Sequence, residues 1–151
     1  MSAADIIQVL ITSMIPVAEL RVAIPVAIDK GFTPLAAYCI CVFGNMLPVP
    51  FLILLTRRVL HWLKSFPSIG HLAERLERKA HRKSELVKKS SFLGLLVLVA
   101  IPLPGTGAWT GALVASVLGL RLRSSIPAIF LGVLIAGLIV LGVFHGIAAI
   151  I

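Results

Sequence analysis

The sequence predicts an all-α integral membrane protein: two inverted repeats, each a re-entrant helical hairpin plus one spanning helix, joined by a basic amphipathic cytoplasmic helix. Three observations predict this. Of the 151 residues, 59% are hydrophobic and the mean hydropathy is +1.07, against roughly 45–50% apolar content for soluble domains. Most of the net charge of +8 is confined to residues 57–89, between apolar segments, as expected of a cytoplasmic loop under the positive-inside bias. The apolar runs are also interrupted by prolines and glycines where a helix interior would be expected. Backbone freed in that way at membrane depth must be satisfied by protein or by a water-filled cavity.

Residues 1–31 are read as the first hairpin. Ala3 to Ala18 is apolar but too short to span, since about 20 residues are needed, and Glu19 and Arg21 close it off. Val22 to Ile28 is shorter still and ends at Asp29-Lys30-Gly31. One continuous helix would carry Pro16, Glu19, Arg21 and Pro25 at depth, where a charge costs at least about 2.5–3.5 kcal/mol. A tip near Pro16–Leu20 that faces a protein interior places these groups more cheaply. The first residues lack the positive region and cleavage site of a signal peptide, so this segment is expected in the mature protein.

Residues 33–60 form a broken spanning helix. Thr33 caps its start and Pro34 occupies the first helical position. Pro48 and Pro50 interrupt it midway, and Asn45 adds an amide that donates or accepts. Cys39 and Cys41 lie on roughly opposite faces without zinc-site spacing, and read as buried thiols acting as small hydrophobes. No metal and no cofactor is implied.

Residues 61–91 are the linker. Ile69, Leu72, Ala73, Leu76, Ala80 and Val87 fall on one helical stripe, with Arg75, Arg78, Arg82, Lys88 and Lys89 mostly off it. A basic amphipathic helix over 69–89 is expected to lie on the anionic lipids of the cytoplasmic leaflet; a solvated charged linker is the alternative. Nucleic-acid binding is not expected, since no aromatic or Gly-rich signature accompanies the charge.

Residues 92–122 are the second hairpin, with helix to Ile101, a turn at Pro104-Gly105-Thr106-Gly107 and helix back to Leu120. If it is re-entrant, Arg121 and Arg123 fall on the same side as the linker. Residues 124–151 form the last spanning helix, capped by Ser124-Ser125-Ile126-Pro127. Its pairs Gly132/Ala136 and Gly142/Gly146 allow close helix approach, either internally against the helix begun at Pro34 or in a homodimer. His145 reads as interfacial, and Trp109 as either a gate or a packed aromatic.

Both halves share one plan: an apolar arm, an Ile-Pro (Ile15-Pro16, Ile101-Pro102), a polar tip, a second arm, a charged turn, a Ser/Thr-Pro start and a spanning helix. A hairpin makes no net crossing and a spanning helix makes one, so tandem copies insert in opposite orientations. Secondary transporters of inverted-repeat design share this layout. It puts the basic linker in the cytoplasm and both termini outside.

Three strings carry a family resemblance: Pro16 to Pro25, Gly44 to Phe51, and Ile101 to Gly111. They resemble the small multidrug export protein family of bacteria and archaea, over nearly the whole chain. That family looks related to the DedA/VTT superfamily, described with paired re-entrant hairpins and associated with proton-dependent transport or flipping of lipids, including undecaprenyl phosphate. The resemblance implies a multi-pass protein of the bacterial or archaeal cell (inner) membrane. It also implies importance for Glu19, Arg21, Pro25, Asn45, Pro48, Pro102, Pro104, Gly105, Thr106, Gly107 and Thr110.

The candidate substrate- and proton-binding residues are therefore Glu19, Arg21, Asn45, Thr106 and Thr110. The candidate hairpin tips and helix breaks are Pro16, Pro25, Pro48, Pro50, Pro102, Pro104, Gly105, Gly107, Trp109 and Gly111. An intramembrane ionisable residue is a functional-site hypothesis by default. Burial and the Arg21 charge pull Glu19 ionisation in opposite directions, which is how a carboxyl is poised to titrate. A mutually paired Glu19–Arg21 that merely pins the tip is the structural alternative. Backbone N–H groups at half-helix N-termini, such as residues 107–111, would suit a phosphate or carboxylate.

The expected function is a proton-coupled export transporter of small amphipathic compounds. The alternatives are a flippase or scramblase of an anionic lipid and a non-transporting membrane assembly factor. An enzyme is not expected: the membrane segments lack a Ser/His/Asp set or carboxylate pair, and the linker histidines His61, His71 and His81 sit among cations.

Overall fold

The computed structural model describes residues 2–64, 91–103 and 105–148. The expected amphipathic helix over 69–89, His71, His81 and Pro104 lie outside the described residues. Within these, the protein is all helix: α1 (Ala3–Met14), α2 (Glu19–Asp29), α3 (Pro34–Met46), α4 (Val49–Lys64), α5 (Ser91–Ala100), α6 (Ala108–Val117) and α7 (Leu122–Ala148).

Proline sterics set the first breaks. A residue before proline is pushed out of the helical region. Ile15, before Pro16, is accordingly extended (φ −73°, ψ 131°), and α1 stops at Met14. α5 stops at Ala100, just ahead of Ile101-Pro102. Leu47, before Pro48, behaves differently and stays helical (φ −55°, ψ −47°). Pro48 therefore removes one donor at the junction of α3 and α4, and the apolar stretch Pro34–Val59 is long enough to cross a membrane. Pro50 lies in the first turn of α4, where a missing N–H costs little.

Two expected breaks, at Pro25 and Gly111, and one expected helix start, at Pro127, are corrected. Pro25 lies inside α2 and Pro127 inside α7, which begins at Leu122 rather than at the Ser-Pro signal. Each leaves one carbonyl without its helical donor but does not end the helix. Gly111 is in the first turn of α6 rather than at the tip, its N–H donating to the Gly107 carbonyl at 2.9 Å. A Cβ there would press into the Val99 side chain, so its smallness serves contact with α5.

The two halves pack alike. α1 and α2 lie against each other and against α3, as α5 and α6 do against α7. α2 and α6 end in the same C-terminal motif. Gly31 (φ +84°) and Gly119 (φ +63°) take the left-handed position. Phe32 N–H then reaches the Ala27 carbonyl and Leu120 N–H the Ala115 carbonyl, as in a Schellman cap.

Contacts also fix which ends meet. Lys30 Nζ lies 3.3 Å from Asp5 Oδ1, joining the start of α1 to the end of α2. Arg57 Nη2 donates to the Leu120 carbonyl, and Ser116 Oγ donates to the Ile53 carbonyl at 3.2 Å, setting α6 along α4. The first hairpin thus opens toward the start of α3, and the second toward the α4 end.

Leu122–Gly146 is the second stretch long and apolar enough to cross a membrane. Of its small residues, Gly132 packs internally, since a Cβ would collide with Val99 and the Leu96 carbonyl of α5. Gly137 meets Tyr38, whose hydroxyl donates to the Leu134 carbonyl at 2.9 Å. Gly142 and Gly146 face open space. The α3 and α7 helices expose Leu35, Phe43, Leu138 and Val143, a surface that suits lipid rather than water. The chain is a membrane protein.

Candidate functional site

The two tips meet across one interface, tied by bonds from each to the other. α6 is preceded by Gly107 at its N-cap, which supplies no side-chain cap of its own. Its open N–H groups, the positive end of a helix dipole, receive the Glu19 carboxylate instead: Trp109 N–H donates to Oε1 at 3.2 Å, with the Ala108 N–H beside it. A Cβ at Gly107 would coincide with that carboxylate. Gly107 also has φ +130° and ψ −165°, a region essentially restricted to glycine.

Two further bonds cross the same interface. Arg21 Nη2 donates to the Thr106 carbonyl at 2.8 Å. Trp109 Nε1 donates to the Met14 carbonyl at 2.9 Å, satisfying one of the orphan acceptors at the end of α1. Thr106 braces its own loop: its hydroxyl accepts from Leu103 N–H at 3.0 Å and is shared between the Ile101 and Leu103 carbonyls.

Glu19 is 5% exposed and has φ +42°, the one positive φ outside glycine among the described residues. This strained backbone, worth about 1–3 kcal/mol, aims the carboxylate across the tip interface rather than along its own helix.

A small cavity of about 10 Å³ lies beside it, with Glu19, Arg21, Asn45, Thr106 and Gly107 in its wall. Asn45 reaches it because Gly44 lets α3 approach α1 closely: a Cβ at Gly44 would collide with Ser13 and Leu10. Asn45 is 1% exposed and its Oδ1 has no hydrogen-bond partner. That volume is near the threshold for one water molecule. An open groove of about 290 Å³ continues outward past Arg21 and Pro102 between Pro25, Ile139, Val143 and Phe144.

Four of the five residues expected to bind substrate or protons, Glu19, Arg21, Asn45 and Thr106, therefore share one cavity wall. Thr110 does not: its hydroxyl donates to the Gly105 carbonyl at 2.9 Å and closes the loop. The α6 N-terminus expected to receive a phosphate or carboxylate holds the carboxylate of Glu19 itself. Sequence reasoning missed the Trp109–Met14 bond, for which no local pattern existed. Among the described residues no three His, Cys, Asp or Glu side chains group in a metal-binding arrangement.

The family model described as "Putative small multi-drug export protein" matches residues 19–139, about four-fifths of the chain. No curated protein and no solved structure matches it.

Proposed function

The chain belongs to this small multi-drug export protein family, and from that premise we propose that it is a proton-coupled exporter of small amphipathic compounds working through the Glu19 cavity. The observation that carries the reading is a buried carboxylate closing two hairpin tips across one interface. A cavity of about 10 Å³ admits no substrate, so the arrangement reads as an occluded state that must open. Opening breaks the Glu19–Trp109, Arg21–Thr106 and Trp109–Met14 bonds. A neutral bond contributes about 0.5–1.5 kcal/mol and a charged one about 1.5–3 kcal/mol. The sum is comparable to the roughly 5.5 kcal/mol needed to carry a two-state equilibrium from 1:99 to 99:1. Protonating Glu19 weakens one charged bond and biases the tips toward parting.

In this reading the hairpins are re-entrant and the halves are inverted repeats that rock against each other. The matching caps at Gly31 and Gly119, and hairpin mouths facing opposite ends of the long helices, support it. The basic linker is then cytoplasmic and both termini external. Single cysteines at Asp5, Lys30 and Ser124, on a chain lacking Cys39 and Cys41, test the topology with an impermeant thiol reagent in intact cells. Positions 5 and 30 should label from outside and 124 only after permeabilisation; a split between 5 and 30 would sink the hairpin.

Transport is tested in proteoliposomes by ethidium flux under an imposed pH gradient. Wild type should move the dye against its gradient, and Glu19→Gln should fall to the empty-vesicle rate. Equal flux in the variant rejects Glu19 as the coupling residue.

The groove favours a second reading, a flippase of an anionic lipid. Its walls are apolar and its inner end carries Arg21, which suits an anionic headgroup with a hydrocarbon tail. Flipping of a fluorescent lipid phosphate, lost in Arg21→Gln while ethidium flux is absent from wild type, would select it.

A further inference from the structure

Asn45 is a polar side chain that neither the fold nor the tip contacts explain. A buried amide oxygen without a donor costs about 1–3 kcal/mol, and an apolar residue would fill the place without that cost. Asn45 is 1% exposed, its Oδ1 has no hydrogen-bond partner, and the residue lines, with Glu19, a cavity near the size of one water.

We infer that this cavity is a single-water site through which Asn45 accepts the hydrogen bond that follows the Glu19 proton. While Glu19 is ionised, the water donates one hydrogen to Asn45 Oδ1 and the other to the carboxylate oxygen not bonded to Trp109. When a solvent proton adds to that oxygen, the carboxylate becomes a neutral carboxyl and no other covalent bond changes. The carboxyl O–H now donates to the water, which keeps its bond to Asn45. Asn45 is thus a positioning residue that gives the protonated state of Glu19 a partner, through the water, inside a buried interface.

A bare Na⁺ is the other occupant of that size with oxygen ligands. The surrounding charge opposes it. Of the residues lining the cavity only Glu19 and Arg21 ionise, and Arg21 is a cation. The α6 N-terminus adds a second positive end facing the same carboxylate. Water needs no further negative charge.

The inference rests on proton uptake by Glu19, so the test reads that step separately. Infrared difference spectra of the full chain in lipid are recorded between acid and neutral pH, in choline and in sodium buffer. The Glu19 band is assigned as the carboxyl C=O stretch absent from Glu19→Gln. In Asn45→Leu this band should shift to higher frequency, because the acid has lost its acceptor chain, and Asn45→Gln should restore it at least in part. Asn45→Ala, with thermal unfolding as a fold check, replaces Asn45→Leu if the larger side chain does not fit. No band at any pH overturns the proton reading of Glu19 and this inference with it. A band that titrates but ignores the removal of Asn45 overturns this inference alone. A band lost on exchanging choline for sodium at fixed pH puts a cation in place of the water.

Discussion

The first hairpin tip brings side-chain charge to the interface, and the second brings backbone charge. Glu19 and Arg21 project from the start of α2, whereas the second tip offers the Trp109 N–H, the Thr106 carbonyl and no ionisable group. The pairing is complementary: the carboxylate meets helix N–H groups and the guanidinium meets a carbonyl. Two charged tips would have to desolvate both partners, and buried ion pairs often fail to repay that cost. With charge on one side only, neutralising Glu19 leaves no ion on the second tip unpaired, and Arg21 keeps the Thr106 carbonyl. The lesson is that the second tip is specified by backbone conformation, and therefore by glycine, while the first is specified by side-chain chemistry.

That contrast breaks most sharply at Gly107. Gly107→Ala must leave a glycine-only conformation and displace the Glu19 carboxylate. Strain alone costs about 1–3 kcal/mol, and expelling a buried carboxylate adds to it. We expect loss of folded protein or a large fall in the thermal unfolding midpoint in detergent. Gly105→Ala is the control: φ is +84° but nothing lies within 4 Å, so only the left-handed penalty of about 1–2 kcal/mol applies. Equal effects would show that Glu19 does not fix the tip. Arg21→Met comes next. It leaves the Thr106 carbonyl without its charged donor, for a loss of about 1.5–3 kcal/mol by the same measurement. Trp109→Phe keeps the ring but removes the bond to the Met14 carbonyl, for about 1 kcal/mol.

How far these features were legible follows from their range along the chain. Sterics local to one dipeptide ended α1 before Ile15-Pro16 and α5 before Ile101-Pro102. The same dipeptide logic failed at Ile24-Pro25 and Ile126-Pro127, which stay inside α2 and α7 despite the lost donor; at Leu47-Pro48 the expected interruption falls between α3 and α4, with Leu47 still in helical φ/ψ. Glu19, Arg21, Asn45 and Thr106 were readable because polar residues within apolar runs stand out. Their partners were not: Trp109 meets Met14 across 95 positions and Arg21 meets Thr106 across 85, and no local pattern encodes such a pairing. Thr110 resembled Thr106 in sequence, yet one helical step turned its hydroxyl back onto Gly105.

The smallest effect belongs to the mouth of the first hairpin, away from the tips. Ser2 and Asp5 form a reciprocal cap at the start of α1, Ser2 N–H and Oγ donating to Asp5 Oδ2 at 2.9 and 2.7 Å. Lys30 holds Oδ1 at 3.3 Å. The Ser2 backbone N–H above all, then its hydroxyl and Lys30, lower the Asp5 pKa from 3.8 to about 2. A depressed carboxylate stabilises the fold above its unfolded pKa and loses that contribution as pH falls through its folded value. Thermal midpoints of wild type and Asp5→Asn should therefore differ slightly at pH 5 and converge as pH falls from about 4 to about 2. Using the difference between the two proteins cancels the other carboxylates. A gap that persists to the lowest pH would mean that Asp5 acts through shape rather than charge. The closure of the first hairpin would then rest on the packing of α1 against α2 and α3 alone.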